Sequence, residues 1–346
     1  MLARQQIGHE VVAETAGAAV PSAVIRPPVV AEGDVSLGAV LLGRRHLQRD
    51  VRLTIRVAQV FNAVEQIGQP GPAAELGLPP NIPVVAGAMD QTAAALAAGC
   101  TRPGTVTETT GTALVMAACT DAPMFRSGHH VTVYRHALPG KYLYLPIGNT
   151  AGMALRWFRD EFCRDLPAGA AGYAALDALV QSVPCGCDGL AFLPFLSGSV
   201  DPDACPEARA VFFGARLSTT RAHFARSVME SVAFLLRDFF GMLNALGCPA
   251  DTVYSLGGGA RSAVWQQIKA DACGRTFRVP ACSEATAMGA ALLAGWGSGL
   301  IAPGVFPCRG ESAVYLPDNA RAPAYDTAYS LYKKLYSAVK PLYNAF

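Results

Sequence analysis

Charge is scarce in this 346-residue chain: Asp, Glu, Lys and Arg make up only 16% of it, and the two signs nearly cancel to a net +2. The basic residues are scattered and form no stripe, which excludes a general nucleic-acid surface. Although 51% of the residues are hydrophobic, no uninterrupted apolar run reaches about 18 residues, so no membrane span is expected. Met1 to Glu10 is polar and lacks the apolar core of a signal peptide. Ten cysteines are present without a single Cys-x-x-Cys pair. The nearest two, Cys185 and Cys187, have no histidine pattern beside them, so neither a metal site nor a disulfide framework is expected. Reduced, mostly buried thiols of a cytoplasmic protein are expected instead. No internal repeat of about 20–50 residues is visible.

What is present suits about two domains. Residues 1–64 show little organisation: Val11 to Val35 mixes Ala, Val, Pro and Gly without a clear period, and Arg44, Arg45, Arg49, Arg52 and Arg56 then form a local basic run. No aromatic residue interleaves with these arginines, so a solvated helix face or a degraded stretch is favoured over a nucleic-acid arm. Residues 71–83 read as a turn-rich connector. Ile82 to Ala86 then predicts a short buried strand, followed by a small-residue helix over Thr92 to Ala98 that ends at Gly99. Asp90 sits at the strand-to-helix junction. It is either that helix's N-cap or a carboxylate placed where α/β folds carry chemistry.

Gly104 to Met116 reads as two β-rich runs joined at Thr110-Gly111-Thr112, a hairpin by its turn chemistry. Such a turn is either an ordinary connection or a presenter of backbone N–H groups and a threonine hydroxyl to phosphate. Strands are predicted over Val131 to His136 and Tyr142 to Pro146, with His129, His130 and His136 as surface or satisfied core groups. Asn149 or Thr150 is expected to cap a helix over Met153 to Phe162 with Leu155, Phe158 and Phe162 on one face. Leu190 to Leu196 reads as a buried apolar run. Ala222 to Leu246 carries the longest helical pattern.

Thr252-Val253-Tyr254 then leads into Gly257-Gly258-Gly259-Ala260 and a helical pattern over Ala263 to Cys273. A strand, a glycine turn and a helix bring backbone N–H groups close to a phosphate, though three glycines also make a plain tight turn. A small-residue helix over Glu284 to Trp296 follows. Ala322 to Tyr343 carries Tyr325, Tyr329, Tyr332 and Tyr336 at helical spacing, read as core packing. The alternation of strands and helices predicts an α/β fold. A dinucleotide-dependent oxidoreductase is disfavoured: the glycine turn is late in the chain, and Glu284 lies at a helix start and not at a strand end.

Taken in order, the strand-end Asp90, the Thr-Gly-Thr hairpin, Gly152 before a helix and the Gly-Gly-Gly-Ala turn resemble the FGGY carbohydrate kinases of the actin-like ATPase (ribonuclease H-like) superfamily. Ala210 to Gly214 with His223 to Glu230 resembles that family's second signature, departing from it at Ala215. The resemblance spans about residues 67–346 and is most like the xylulokinase branch. It implies an ATP-dependent transfer of phosphate to a sugar or polyol hydroxyl, with Asp90 as general base and Gln91 touching substrate. It further implies that Gly111, Thr112, Gly152, Gly258, Gly259 and Ala260 hold ATP, and that Mg2+ takes part, although no ligand set for the metal is readable. Residues 1–99 are then part of a substrate domain and residues 100–346 a nucleotide-binding domain. The family's first phosphate loop, Asp-x-Gly-Thr, is absent near the N-terminus, so an N-terminally truncated chain is expected, with an inactive nucleotide-binding remnant as the alternative. No nucleic-acid or membrane partner is expected. The sequence permits a homodimer.

Overall fold

The computed structural model describes residues 64–66, 79, 82–125, 131–306 and 310–345. The basic run at Arg44 to Arg56, most of the connector at 71–83, and His129 and His130 lie outside the described residues. The elements in chain order are strands β1 (Val64–Gln66) and β2 (Pro83–Val85), helix α1 (Asp90–Ala97), strands β3 (Thr105–Thr110), β4 (Leu114–Thr120), β5 (Thr132–Arg135), β6 (Tyr142–Leu145) and β7 (Ile147–Gly148), and helices α2 (Gly152–Phe162) and α3 (Gly169–Gln181). There follow β8 (Ala191–Leu193), β9 (Val211–Phe213), α4 (Arg221–Ala245), β10 (Thr252–Leu256), α5 (Ala263–Cys273), β11 (Thr276–Pro280), α6 (Ala285–Gly297), β12 (Glu311–Tyr315) and α7 (Ala322–Val339).

The α/β expectation holds. One eight-stranded sheet runs in the order β12-β11-β10-β3-β4-β6-β5, with β7 alongside β4. Its centre is parallel, β10 lying between β3 and β11, and β4 returns antiparallel beside β3 in the Thr-Gly-Thr hairpin. β4 is apolar nearly throughout because both faces of the sheet are covered. Leu114, Met116 and Ala118 point into the large core beneath α4, while Ala117 and Cys119 point the other way, towards Ala95 of α1. The 25-residue α4 is buried along most of its length and forms the spine of the larger layer, with α2, α3, α5 and α7 packed around it. Phe234 of α4 meets the rings of Tyr325, Tyr329 and Tyr332, so the tyrosine stripe of α7 is core packing as expected. On the opposite layer α1 crosses α6 so closely that a Cβ at Gly289 would stand 2.0 Å from the Ala93 carbonyl oxygen.

Several local expectations are corrected. β2 is short and largely exposed, because it pairs only with β1 outside the main sheet. Asp90 is not an N-cap: α1 starts on it, and Met89 stands at the cap with no side-chain hydrogen bond. Neither Asn149 nor Thr150 caps α2. The Asn149 amide donates to the Ser197 carbonyl and the Thr150 hydroxyl to the Pro194 carbonyl. The helix's early N–H groups are met instead by the Thr112 carbonyl, which accepts from Ala151 and Met153 at 3.0 and 3.3 Å. Phe162 is exposed, although Leu155 and Phe158 are buried as expected. His136 is a satisfied core group. It takes the Leu138 N–H on Nδ1 at 2.9 Å and gives Nε2–H to the Cys100 carbonyl at 2.8 Å.

Candidate nucleotide cleft

Three backbone turns meet at one end of β3 and β10. The first is the β3–β4 hairpin turn at Gly111 and Thr112, the second the start of α2 at Gly152, and the third the 3-10 turn at Gly258–Arg261 that follows β10. Glycine is required where they touch. A Cβ at Gly152 would lie 2.4 Å from the Gly111 carbonyl oxygen, and one at Gly259 would lie 2.6 Å from Thr110 Cβ. Gly257, with φ of 77°, adopts a left-handed backbone that lets the chain turn sharply off β10 beside Thr110. No Cβ contact within 4 Å would arise at Gly111 or Gly258, where the backbone is open.

A buried polar network fixes these turns from below. Lys269 of α5 donates to Glu108 Oε1 at 2.7 Å and to Thr110 Oγ1 at 2.8 Å, and both charged side chains are fully buried. The Thr110 hydroxyl donates to Glu108 Oε2 at 2.7 Å, and Ser255 of β10 donates to Oε1. Gln266, one turn before Lys269 on α5, gives its amide N–H to the Gly259 carbonyl at 3.1 Å. One helix thus locks the hairpin turn and the glycine turn together, and the charge of Glu108 in the middle of a buried strand is compensated.

The cleft these turns border has a volume of about 540 Å³ and is closed on its far side by α3. Gly111, Thr112, Gly152, Gly258 and Gly259 all line it, so five of the six residues expected to hold ATP are brought together. Ala260 is not among them. It lines a neighbouring hollow with Ser255, Val279 and Tyr315, because the 3-10 turn points it away from the cleft. The Gly111 N–H is spent within the turn on the Ala113 carbonyl, while Thr112, beside it, is exposed and carries a hydroxyl donor. Arg156 of α2 and Arg261 supply positive charge at the rim, and the Trp265 ring with Leu155 supplies apolar wall.

The wall formed by α3 was not expected from the sequence. Gly169, Ala170, Tyr173, Ala174 and Asp177 fall on one face at helical spacing, a stripe of small residues broken by one tyrosine and one acid. That spacing was legible, but the stripe lacks apolar contrast. Asp177 is half-buried, and burial raises its carboxyl above the usual range, opposed by a hydrogen bond from Ser262 Oγ at 2.8 Å.

Asp90 and Gln91 stand beside the cleft, not in its wall. Gln91 Oε1 lies 3.5 Å from Thr109 Oγ1, next to the hairpin turn, and the exposed Asp90 carboxylate accepts the Gln91 N–H at 2.7 Å. The second-signature residues Arg226 and Glu230 are remote from the cleft. They pair at 2.7 Å inside the core, where Glu230 also accepts the Gly186 N–H and Arg226 reaches Tyr325. Among the described residues no group of three or more His, Cys, Asp or Glu stands together in a way that would hold a metal ion. The nine described cysteines are free, and no helix among the described residues is long and apolar enough to cross a membrane.

A model of the FGGY family of carbohydrate kinases, C-terminal domain, matches residues 106–298, more than half of the chain. The xylulose kinase of Staphylococcus epidermidis is 28% identical over 273 residues, covering 78% of this chain and 54% of that protein. The gluconokinase of Bacillus subtilis is 30% identical over 237 residues, covering 66% of this chain and 46% of that protein. Among solved structures, the xylulose kinase of Rhodospirillum rubrum superposes with a TM-score of 0.69 at 33% identity, over 80% of this chain and 55% of that one. The chain spans about half the length of the curated relatives it matches. At a TM-score of 0.69 the chain shares the fold of FGGY kinase structures, the actin-like ATPase fold.

Proposed function

The chain belongs to the FGGY family of carbohydrate kinases, and on that premise we propose that it carries the nucleotide side of an ATP-dependent phosphotransfer to a sugar or polyol hydroxyl. The observation that carries this reading is the meeting of Gly111, Gly152 and Gly259 on one cleft, where backbone approaches backbone too closely for any side chain. Such a wall admits the oxygens of a polyphosphate to unshielded N–H groups. Among the described residues the Gly258 and Gly259 N–H groups have no backbone partner. With the Thr112 hydroxyl and the two rim arginines they form the donor set for the phosphates. The apolar wall of Trp265 and Leu155 suits a nucleobase.

Asp90 is assigned as the general base. Its carboxylate is exposed at the start of α1, beside Gln91 and the strand end that carries the phosphate turn. From there it accepts the proton of the substrate hydroxyl as that oxygen attacks the terminal phosphate. Gln91 is assigned a substrate contact. Mg2+ accompanies ATP in such reactions and offsets phosphate charge, but the described residues offer no cluster to hold it. No step is therefore assigned to a metal here. Residues 100–346 are read as the nucleotide-binding domain and those up to 99 as part of a substrate domain. The free thiols suit a reducing compartment such as the cytoplasm.

The relatives named for xylulose and gluconate set the first substrates to try. ADP release is measured with a panel of pentuloses, sugar acids and polyols, alongside calorimetric titration of ATP. Turnover with one sugar class above the ATP-only rate is the expected result. Binding of ATP with a flat response to every sugar would instead mark a nucleotide-binding protein without phosphotransfer, and absence of ATP binding would overturn the reading altogether.

A further inference from the structure

Of the three charged residues lining the cleft, two are the arginines Arg156 and Arg261, and the third is Asp177 of α3. The acid's environment is specific. Oδ1 accepts the Ser262 hydroxyl at 2.8 Å, while Ser262 Oγ itself accepts the Trp265 N–H at 3.0 Å as the N-cap of α5. The serine's one proton is therefore committed to Asp177, and its place as the N-cap of α5 holds the carboxylate in one orientation. Ser262 is the one partner of the Asp177 carboxylate among the described residues, and it bonds Oδ1, not Oδ2. A half-buried carboxylate without a cation is unfavourable unless a donor reaches it. It would also repel phosphate, so it belongs with the uncharged part of a ligand whose phosphates lie at the arginines and the glycine turns.

We propose that Asp177 is a nucleoside-recognition residue, its free carboxylate oxygen accepting a hydrogen bond from a donor on the nucleoside of ATP, either the exocyclic amine of the base or a ribose hydroxyl. This rests on the reading of the cleft as an ATP site. It goes further in assigning the nucleoside, and not the phosphates, to the α3 wall. Ser262 acts through Asp177 as its positioning residue.

The test is titration of the full chain with ATP, 2′-deoxy-ATP, 3′-deoxy-ATP, purine riboside triphosphate (which lacks the exocyclic amine) and inorganic tripolyphosphate. In the unaltered chain, one of the three analogues is expected to bind about tenfold or more weaker than ATP. Asp177→Ala is expected to weaken ATP by a similar factor, to leave tripolyphosphate within about twofold, and to show no further loss with that same analogue. Asp177→Asn, which keeps an acceptor oxygen, is expected to recover part of the affinity. Unchanged ATP affinity in Asp177→Ala overturns the assignment while leaving the ATP site standing. Equal losses for ATP and tripolyphosphate overturn it as well, since a merely structural role predicts that pattern. Should the variants fail to fold, equal affinity of the unaltered chain for ATP and all three analogues overturns it alone. Absence of binding by every triphosphate removes the ATP reading and this assignment together.

Discussion

The Lys269 ammonium lies 2.7 Å from the Glu108 carboxylate, with neither side chain reached by solvent. The two residues are 161 positions apart, on α5 and on the strand that runs into the Thr-Gly-Thr hairpin turn, and each compensates the other's buried charge. Taking away one member leaves a buried charge alone. Lys269→Met and Glu108→Gln are each expected to destabilise the chain by about 3–5 kcal/mol. The double variant is expected to recover a good part of this, because it leaves no uncompensated charge. Denaturant unfolding of the four proteins checks the prediction, and simple additivity of the two losses would contradict it.

The glycines of the cleft divide into two classes with different expected phenotypes. Gly152→Ala and Gly259→Ala push a methyl group to 2.4 Å from the Gly111 carbonyl oxygen and 2.6 Å from Thr110 Cβ, respectively. Each should lower stability by about 1–3 kcal/mol through overpacking, and nucleotide affinity with it. Gly258→Ala meets nothing within 4 Å in the protein, yet Gly258 lines the cleft. That variant should melt like the parent and still bind ATP less well. Paired thermal unfolding and calorimetric titration separate the classes. A loss of stability in Gly258→Ala equal to that of the other two would remove the distinction.

These same elements show which parts of the molecule were legible in the sequence. The bounds of α5 were read correctly because its signals are local: Ser262 caps the first turn and Gly274, with φ of 61°, closes the last. The Thr-Gly-Thr hairpin and the tyrosine stripe are local patterns of the same kind. The caps expected of Asn149 and Thr150 failed because carbonyls at Ser197 and Pro194, more than 40 residues away, claim those side chains. The role of Lys269 is of that non-local kind too. Its place in a helical pattern does not say what it faces, and only the sheet order aims it at Glu108. Asp177 was missed for a different reason, since a stripe of glycine and alanine with one acid looks the same on a solvated face as on a ligand wall.

His136 sets a pH dependence of stability. Burial, against which its hydrogen bond to the Cys100 carbonyl works, and the nearby Lys141 charge lower its pKa from an ordinary 6.5 to about 4. The geometry explains why protonation is resisted: Nδ1 accepts the Leu138 N–H, so a second ring proton would face a donor. The unfolded chain takes up this proton near pH 6.5 and the folded chain only near pH 4. The contribution is therefore complete above about pH 6.5 and is lost as the pH falls towards 4, amounting to about 3 kcal/mol over that window. Urea unfolding across the window, compared with His136→Gln, should show a difference between the two proteins that shrinks as the pH drops. A difference independent of pH would exclude the histidine as its source.

Asp90 offers the clearest separation of chemistry from folding. It is exposed at the first residue of α1, and among the described residues its carboxylate accepts only the neighbouring Gln91 N–H, at 2.7 Å. The helix does not depend on it as a cap, and an amide oxygen in its place still accepts that bond. Asp90→Asn is accordingly expected to change stability by less than about 0.5 kcal/mol, as for an ordinary surface substitution. Its affinity for ATP should stay within about twofold, because the donors proposed for the phosphates lie on the hairpin and glycine turns. If Asp90 takes the proton from the substrate hydroxyl, kcat for the best sugar should fall by about 10²–10⁴-fold, the range for removing a general base. The ATP-only hydrolysis rate needs no sugar proton and should change far less. Stopped-assay turnover with and without sugar, beside a melting curve of each protein, makes the comparison. Sugar-dependent turnover that survives the substitution would transfer the role of base to another group, with Gln91 and the strand end of β3 as the surroundings in which to look for it.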